Sequence, residues 1–127
     1  MKALLSLGFF GLFLLSVSGN AQRQQPPPED TAIAAKETAL KSALFQMRDA
    51  IDRYYVDKKR YPQSLDSLTT GKYLDRIPSD PFTNSTHSWR TLPTQPDRRH
   101  PTATRGIYDV KSTSTSKALD GTKYSEW

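Results

Sequence analysis

The chain has 127 residues, a formal net charge of +5, nine prolines and no cysteine. That leaves room for at most one modest domain plus a targeting segment, and it excludes disulfide stapling, thiol catalysis and cysteine-based zinc sites. The basic residues are scattered among acids, with only the short clusters Lys58-Lys59-Arg60 and Asp97-Arg98-Arg99-His100, so the charge reads as a solvated surface and nucleic-acid binding is not expected.

In chain order, Met1 to Ala21 reads as an export signal. Lys2 supplies the positive start, Ala3 to Val17 carries no charge, and Gly19-Asn20-Ala21 places small residues where a signal peptidase cuts. The run is short of the roughly 20 apolar residues that a membrane span needs, so a cleaved leader is expected, with an inner-membrane anchor through residues 3–17 as the alternative. Cleavage leaves a net charge of +4, from 17 basic and 13 acidic residues. Residues 22–29 (QRQQPPPE) form a proline-rich spacer, and Pro26-Pro27-Pro28 interrupt any helix running through from the leader.

A long helix is predicted over 30–60. Leu40, Leu44, Met47, Ile51 and Tyr54 follow one another at steps of 4, 3, 4 and 3, which places them on one face; Ile33 continues the stripe upward. Asp30 or Thr31 is the expected cap. Asp49, Asp52 and Asp57 read as a solvated face, with Asp49 and Arg53 as an i, i+4 pair. About 29 helical residues span roughly 43 Å, more than a small domain covers. The upper stripe, with Ile33, Leu40 and Leu44, is therefore expected to be a protein-docking interface. Tyr61-Pro62 closes the helix, and Tyr54 and Tyr61 are expected in its joint with the rest of the fold.

Residues 61–87 read as loop and short helix. Ser64 caps a turn carrying Leu65 and Leu68, Gly71 stops it, and Pro78-Ser79-Asp80-Pro81 forms a rigid turn before Phe82. Asn84-Ser85-Thr86 has the form of a glycosylation sequon and reads as a loop coincidence. Residues 88–127 are expected to make a small antiparallel sheet, with Trp89 inward, Gly106 to Lys111 as the best strand, and a tight turn at Asp120-Gly121. Trp127 is expected to tuck under as an apolar plug. His87 and His100 lie in loop-like sequence without metal-ligand spacing, and no nucleophile–base pattern or phosphate loop is present, so no enzyme activity is expected. The class is α+β with a single domain over 30–127.

The blocks AIDRYYVDKKRYP, SLDSL, GKYLDRIPSDPF and GIYDVKS with a trailing DG, in that order, resemble the globular domain of the major, G-type pseudopilin of type II secretion systems, a member of the type IV pilin-like family. The resemblance covers roughly residues 35–120. It implies a long helix packed on a small antiparallel sheet, and a non-enzymatic subunit that packs with protein partners of a secretion or pilus-like assembly in the bacterial cell envelope. The chain departs from that family at its amino-terminal end: the pilin-type cleavage site is missing, and residues 26–28 sever the apolar run from the helix. The resemblance then points to a pseudopilin-type head delivered by an ordinary export signal, exported to the periplasm or beyond. Its alternative is a free binding module that reuses the fold. The family also binds Ca²⁺ in the loop after its last long strand. Here its first loop aspartate falls at Ser116, which leaves Asp120 and Glu126 as the carboxylates that a calcium site would use, with Ser112 and Ser114 as weaker donors. The residues themselves give an ordinary turn and no cofactor.

Overall fold

The computed structural model describes residues 28–96, 98–99 and 105–127. The leader, most of the spacer, Asp97, and the stretch from His100 to Thr104 lie outside the described residues.

The class is α+β. One helix, α1 (Glu29–Lys58), carries a short helix, α2 (Asp66–Thr70), and a two-stranded antiparallel sheet of β1 (Arg90–Pro93) and β2 (Ile107–Lys111). At about 1.5 Å per residue, the 30 residues of α1 extend about 45 Å. The helix begins one residue before the expected caps. The Pro28 carbonyl accepts from the Thr31 and Ala32 amides, and Glu29 and Asp30 occupy the first turn, where carboxylates suit the positive end of the helix dipole. It ends at Lys58 because Lys59 takes a left-handed conformation (φ 56°) and returns its amide to the Tyr55 carbonyl. Pro62 then forbids a restart.

α1 lays one face on β2 and, more lightly, on α2. Leu40, Leu44, Met47, Ile51 and Tyr54 form the core with Leu68, Trp89, Val110 and Tyr124. α2 starts as expected from Ser64, whose hydroxyl accepts the Ser67 amide at 3.3 Å, and buries Leu68. It stops at Gly71, its C-cap, as expected, and the left-handed residue follows at Lys72 (φ 63°). Trp89 is buried just ahead of β1, with its indole N–H donated to the Pro78 carbonyl at 2.8 Å.

The sheet is smaller than residues 88–127 were expected to make. Leu92 pairs with Asp109 and Pro93 with Ile107, so Tyr108 is an extra residue on β2. Such a bulge breaks the two-residue alternation. It explains why Ile107 and Val110, three apart, are both buried while Tyr108 faces solvent. Beyond β2 the chain forms only an isolated bridge between Lys117 and Lys123 around the turn at Gly121 (φ 87°), then a single 3₁₀ turn at Tyr124–Glu126.

Two polar fasteners hold the loops. Asp80 is 0% exposed, and its carboxylate accepts the Ser112 hydroxyl at 2.5 Å and the Phe82 and Thr83 amides at 2.8 and 3.3 Å. A buried carboxylate is tolerated when such donors replace water, and these tie the 78–88 loop to the end of β2. The Ile107 amide donates to the Pro62 carbonyl at 2.7 Å, bringing β2 against the exit of α1.

That close approach depends on Gly106. A Cβ there would lie 2.5 Å from the Tyr61 Cβ and 2.8 Å from the Tyr61 carbonyl oxygen. Gly106→Ala is expected to lower stability by about 1–3 kcal/mol, the usual cost of overpacking, read from the midpoint of urea unfolding. An unchanged midpoint would show that β2 and residues 61–62 are not locked together.

Candidate protein-docking surface

The last eleven residues determine which part of α1 is left uncovered. Tyr124 is 1% exposed, stacked on Phe82 at a ring-centroid distance of 3.8 Å and edge-on to Trp127 at 5.0 Å. Its hydroxyl donates to the Glu37 carboxylate at 2.9 Å, and the same oxygen accepts the Leu119 amide at 2.8 Å. About three turns further down the helix lies Arg48. Its Nε donates to Asp109 at 2.8 Å, and its Nη2 to the Val110 carbonyl at 3.0 Å and a Trp127 main-chain oxygen at 2.9 Å. Three chain segments thus meet on one guanidinium, whose fork suits several acceptors at once.

This geometry corrects the expected interface. Leu40 is 0% exposed and Leu44 2% exposed; both belong to the domain's own core. Residues 117–127 fold back along α1 as far as Glu37 and cover them, a return path invisible in the helix's own periodicity. Ile33, one turn above Glu37, is half-buried. Leu44→Asp is accordingly a core disruption and not a probe of docking.

The calcium expectation fares differently at each residue. Asp120 is a turn cap: its Oδ1 accepts the Thr122 amide at 2.9 Å and the Thr122 hydroxyl at 2.6 Å. The hydroxyl first and the amide second hold its carboxyl below the ordinary aspartate range. Glu126 is exposed, and its main-chain oxygen accepts the Lys111 ammonium at 3.1 Å. Among the described residues no group of three or more histidine, cysteine, aspartate or glutamate side chains is placed to hold a metal, so Asp120 and Glu126 belong to no such group. The hydroxyl of Ser112 is donated to Asp80. His87 is exposed, its amide donated to the Ser85 hydroxyl, and His100 lies outside the described residues.

What remains open on α1 is a different face. Phe45 is 71% exposed, and Val56, three turns on, is also exposed. Phe45 stands as a ridge between two grooves. One, of about 580 Å³, runs between α1 and the carboxy-terminal segment, with Leu44 and Trp127 as its apolar lining and Lys41, Arg48, Asp49 and Asp52 along its edges. The Lys41 ammonium lies 4.8 Å from the Trp127 ring centroid, a cation–π contact. The other, of about 560 Å³, lies towards the 72–78 loop. That loop is clamped by Arg53, which donates to the Tyr73 carbonyl at 2.7 Å, and by Asp57, which accepts the Tyr73 hydroxyl at 2.8 Å. The Asp57 contact and burial raise the Tyr73 hydroxyl above the usual tyrosine range.

A surface of this kind suits contact with protein: an exposed aromatic, apolar floors and a rim of both charge signs. Phe45 interrupts a run of charged and small residues off the apolar stripe, so its helical position was the sequence signal for it. Arg48, Glu37 and Tyr124 had no comparable signal, since their partners lie 61 to 87 residues away. The expected Asp49–Arg53 pair is present at 3.0 Å. No family model, no curated protein and no solved structure matches this chain.

The Tyr124–Glu37 contact makes stability depend on pH in a defined window. Burial, with Glu37 as the second cause, pushes the Tyr124 hydroxyl up to about 12 from 10.0. A group raised on folding keeps its stabilisation below its unfolded pKa and loses it as the pH climbs to the folded value. Stability is therefore expected to be unaffected by Tyr124 below pH ~10 and to fall by on the order of 2 kcal/mol as ionisation proceeds towards pH ~12. Chemical unfolding from pH 8 to 12 checks it. Tyr124→Phe should be weaker by about 1 kcal/mol at pH 8 and show a shallower alkaline loss; equal slopes would contradict the assignment.

Proposed function

We propose that this chain is a non-enzymatic, pseudopilin-like cell-envelope subunit of the G type, associated with type II secretion or a pilus-like assembly and acting by packing against protein partners. The observation that carries this reading is the course of α1. Its first eleven residues, 29–39, precede the first fully covered position, Leu40, and are exposed apart from half-buried Ile33 and Glu37. Tyr124 and Leu119 reach the helix at Glu37, so the eight residues above it, 29–36, about 12 Å of helix at roughly 1.5 Å per residue, rise beyond the core and are exposed except for half-buried Ile33. The class, a single long helix against a small antiparallel sheet, is what the pilin-like resemblance implies. An apolar run at residues 3–17 precedes it in sequence. Among the described residues no helix is long and apolar enough to cross a membrane; residues 3–17 lie outside them.

The second reading is a free periplasmic or secreted binding module with the same kind of fold. The prolines at 26–28 favour it, because a filament core built from one continuous helix cannot pass through them. In both readings the chain is exported. In the first, residues 3–17 offer attachment to the inner membrane.

A photo-crosslinking residue at Ala35 or Thr38, introduced in the native host, separates the two. The subunit reading expects cross-links to envelope assembly proteins, and loss of secreted proteins from the medium when the gene is deleted. A chain that begins at Gln22, forms no such cross-links and leaves secretion unchanged on deletion contradicts it.

A further inference from the structure

One row of α1 is self-complementary. Glu37, Lys41, Phe45, Asp49 and Arg53 are spaced four apart, so they lie along one i±4 ridge of the helix surface. The charge order along the ridge is minus, plus, aromatic, minus, plus. Reversing its direction exchanges Glu37 with Arg53 and Lys41 with Asp49, and leaves Phe45 in place. Each opposite-charge pair sums to the same residue number, twice that of Phe45, as a two-fold axis that crosses the helix pair at the level of Phe45 requires. Val56 falls opposite Ala34 under the same operation, and both are exposed.

We propose that two copies of this chain pair through α1 as an isologous, antiparallel dimer centred on Phe45. In it the Phe45 ring of each copy enters the groove that Leu44 and Trp127 line on the other, and Lys41 of each faces Asp49 of the other. The features needed are already on one surface. Phe45 is 71% exposed beside a groove of about 580 Å³ with apolar walls. Lys41 and Asp49 sit at the edges of that groove. Asp49 engages Arg53 through Oδ2, and its Oδ1 has no hydrogen-bond partner among the described residues. Packing i±4 ridges of two helices into each other's grooves gives a crossing near −50° at an axis separation of about 8–10 Å, close enough for a phenyl ring to fill the groove. The outermost pair, Glu37 with Arg53, lies at the periphery, where Glu37 is already held by Tyr124 and Leu119 through Oε1.

Charge decides the direction. A parallel pair in the same register would set Lys41 on Lys41 and Asp49 on Asp49, and like charges across an interface are unfavourable. The antiparallel pair makes two cross-copy ion pairs around one aromatic centre. The pairing rests on one aromatic from each helix and two ion pairs between them, so cross-linking, which captures transient contacts, is the suitable measurement. The proposal does not rest on a role in secretion, and the cross-link pattern reads geometry independently of any secretion phenotype.

The absence of cysteine makes the test clean. Full-length copies with different tags are co-expressed, one carrying Lys41→Cys and the other Asp49→Cys, and joined with a short bismaleimide. The mixed pair keeps one Lys41–Asp49 contact and is expected to cross-link about tenfold more than either variant alone, the ratio that ~1.4 kcal/mol of preference gives. Adding Phe45→Asp to both copies should abolish the product while leaving the thermal melt unchanged, because Phe45 is exposed; Phe45→Leu should retain it. Homotypic cross-linking equal to or above the mixed pair overturns the proposal. So does the absence of any product, or a product that joins this chain only to a different protein.

Discussion

The structure depends on covering the Leu40-to-Tyr54 stripe of α1 with very little chain. A face of Leu, Met, Ile and Tyr exposed along a helix gains roughly 1.5–3 kcal/mol per large side chain when it is removed from water, but two strands of four and five residues cannot roof it. The solution is a patchwork. β2 lies across the middle, Leu68 of α2 and the Tyr61-Pro62 turn seal the lower end, and Tyr124 with Trp127 closes the upper end. The polar contacts of Arg48 and Glu37 stand where these pieces meet. They position the irregular carboxy-terminal segment, which has no ladder of its own to hold it.

That arrangement gives the helix two faces with different tasks. The Leu40, Leu44 and Met47 face belongs to the domain. The Phe45 face, about a quarter-turn away, is lined by charged residues and left open between two grooves. The amino-terminal turns extend above both.

The helix itself was legible in the sequence because its signal is local: apolar steps of three and four, prolines at 28 and 62, and charges on the opposite side. The same holds for the turn at Asp120-Gly121, the strand from Ile107 and the inward Trp89. The long-range contacts were not legible. Leu40 and Leu44 were assigned to a partner because nothing near them could bury them, and the residues that do lie some 80 positions downstream. Arg48 belongs by periodicity to the polar face and yet binds both β2 and the carboxy-terminal segment. Asp80 read as part of a rigid turn, while its second oxygen anchors Ser112. The sheet was overestimated because segments with strand-like composition, such as Thr122 to Trp127, are fixed here by aromatic stacking and a 3₁₀ turn. Asp120 was offered as a calcium ligand by the family resemblance, whereas its own sequence read as an ordinary turn, and in the structure it caps that turn through Thr122.

Amide hydrogen exchange along α1 tests most directly the claim that the domain's own chain covers the helix from the level of Glu37 downward and leaves the turns above it bare. Protection should be low from Ala32 to Lys36, rise at about Leu40, and stay near the global unfolding limit through Tyr54, with the amides of Leu119 and Trp127 protected alongside. Uniform protection from the first turn onward, or fast exchange at Leu40 and Leu44 together with Leu119, would contradict it.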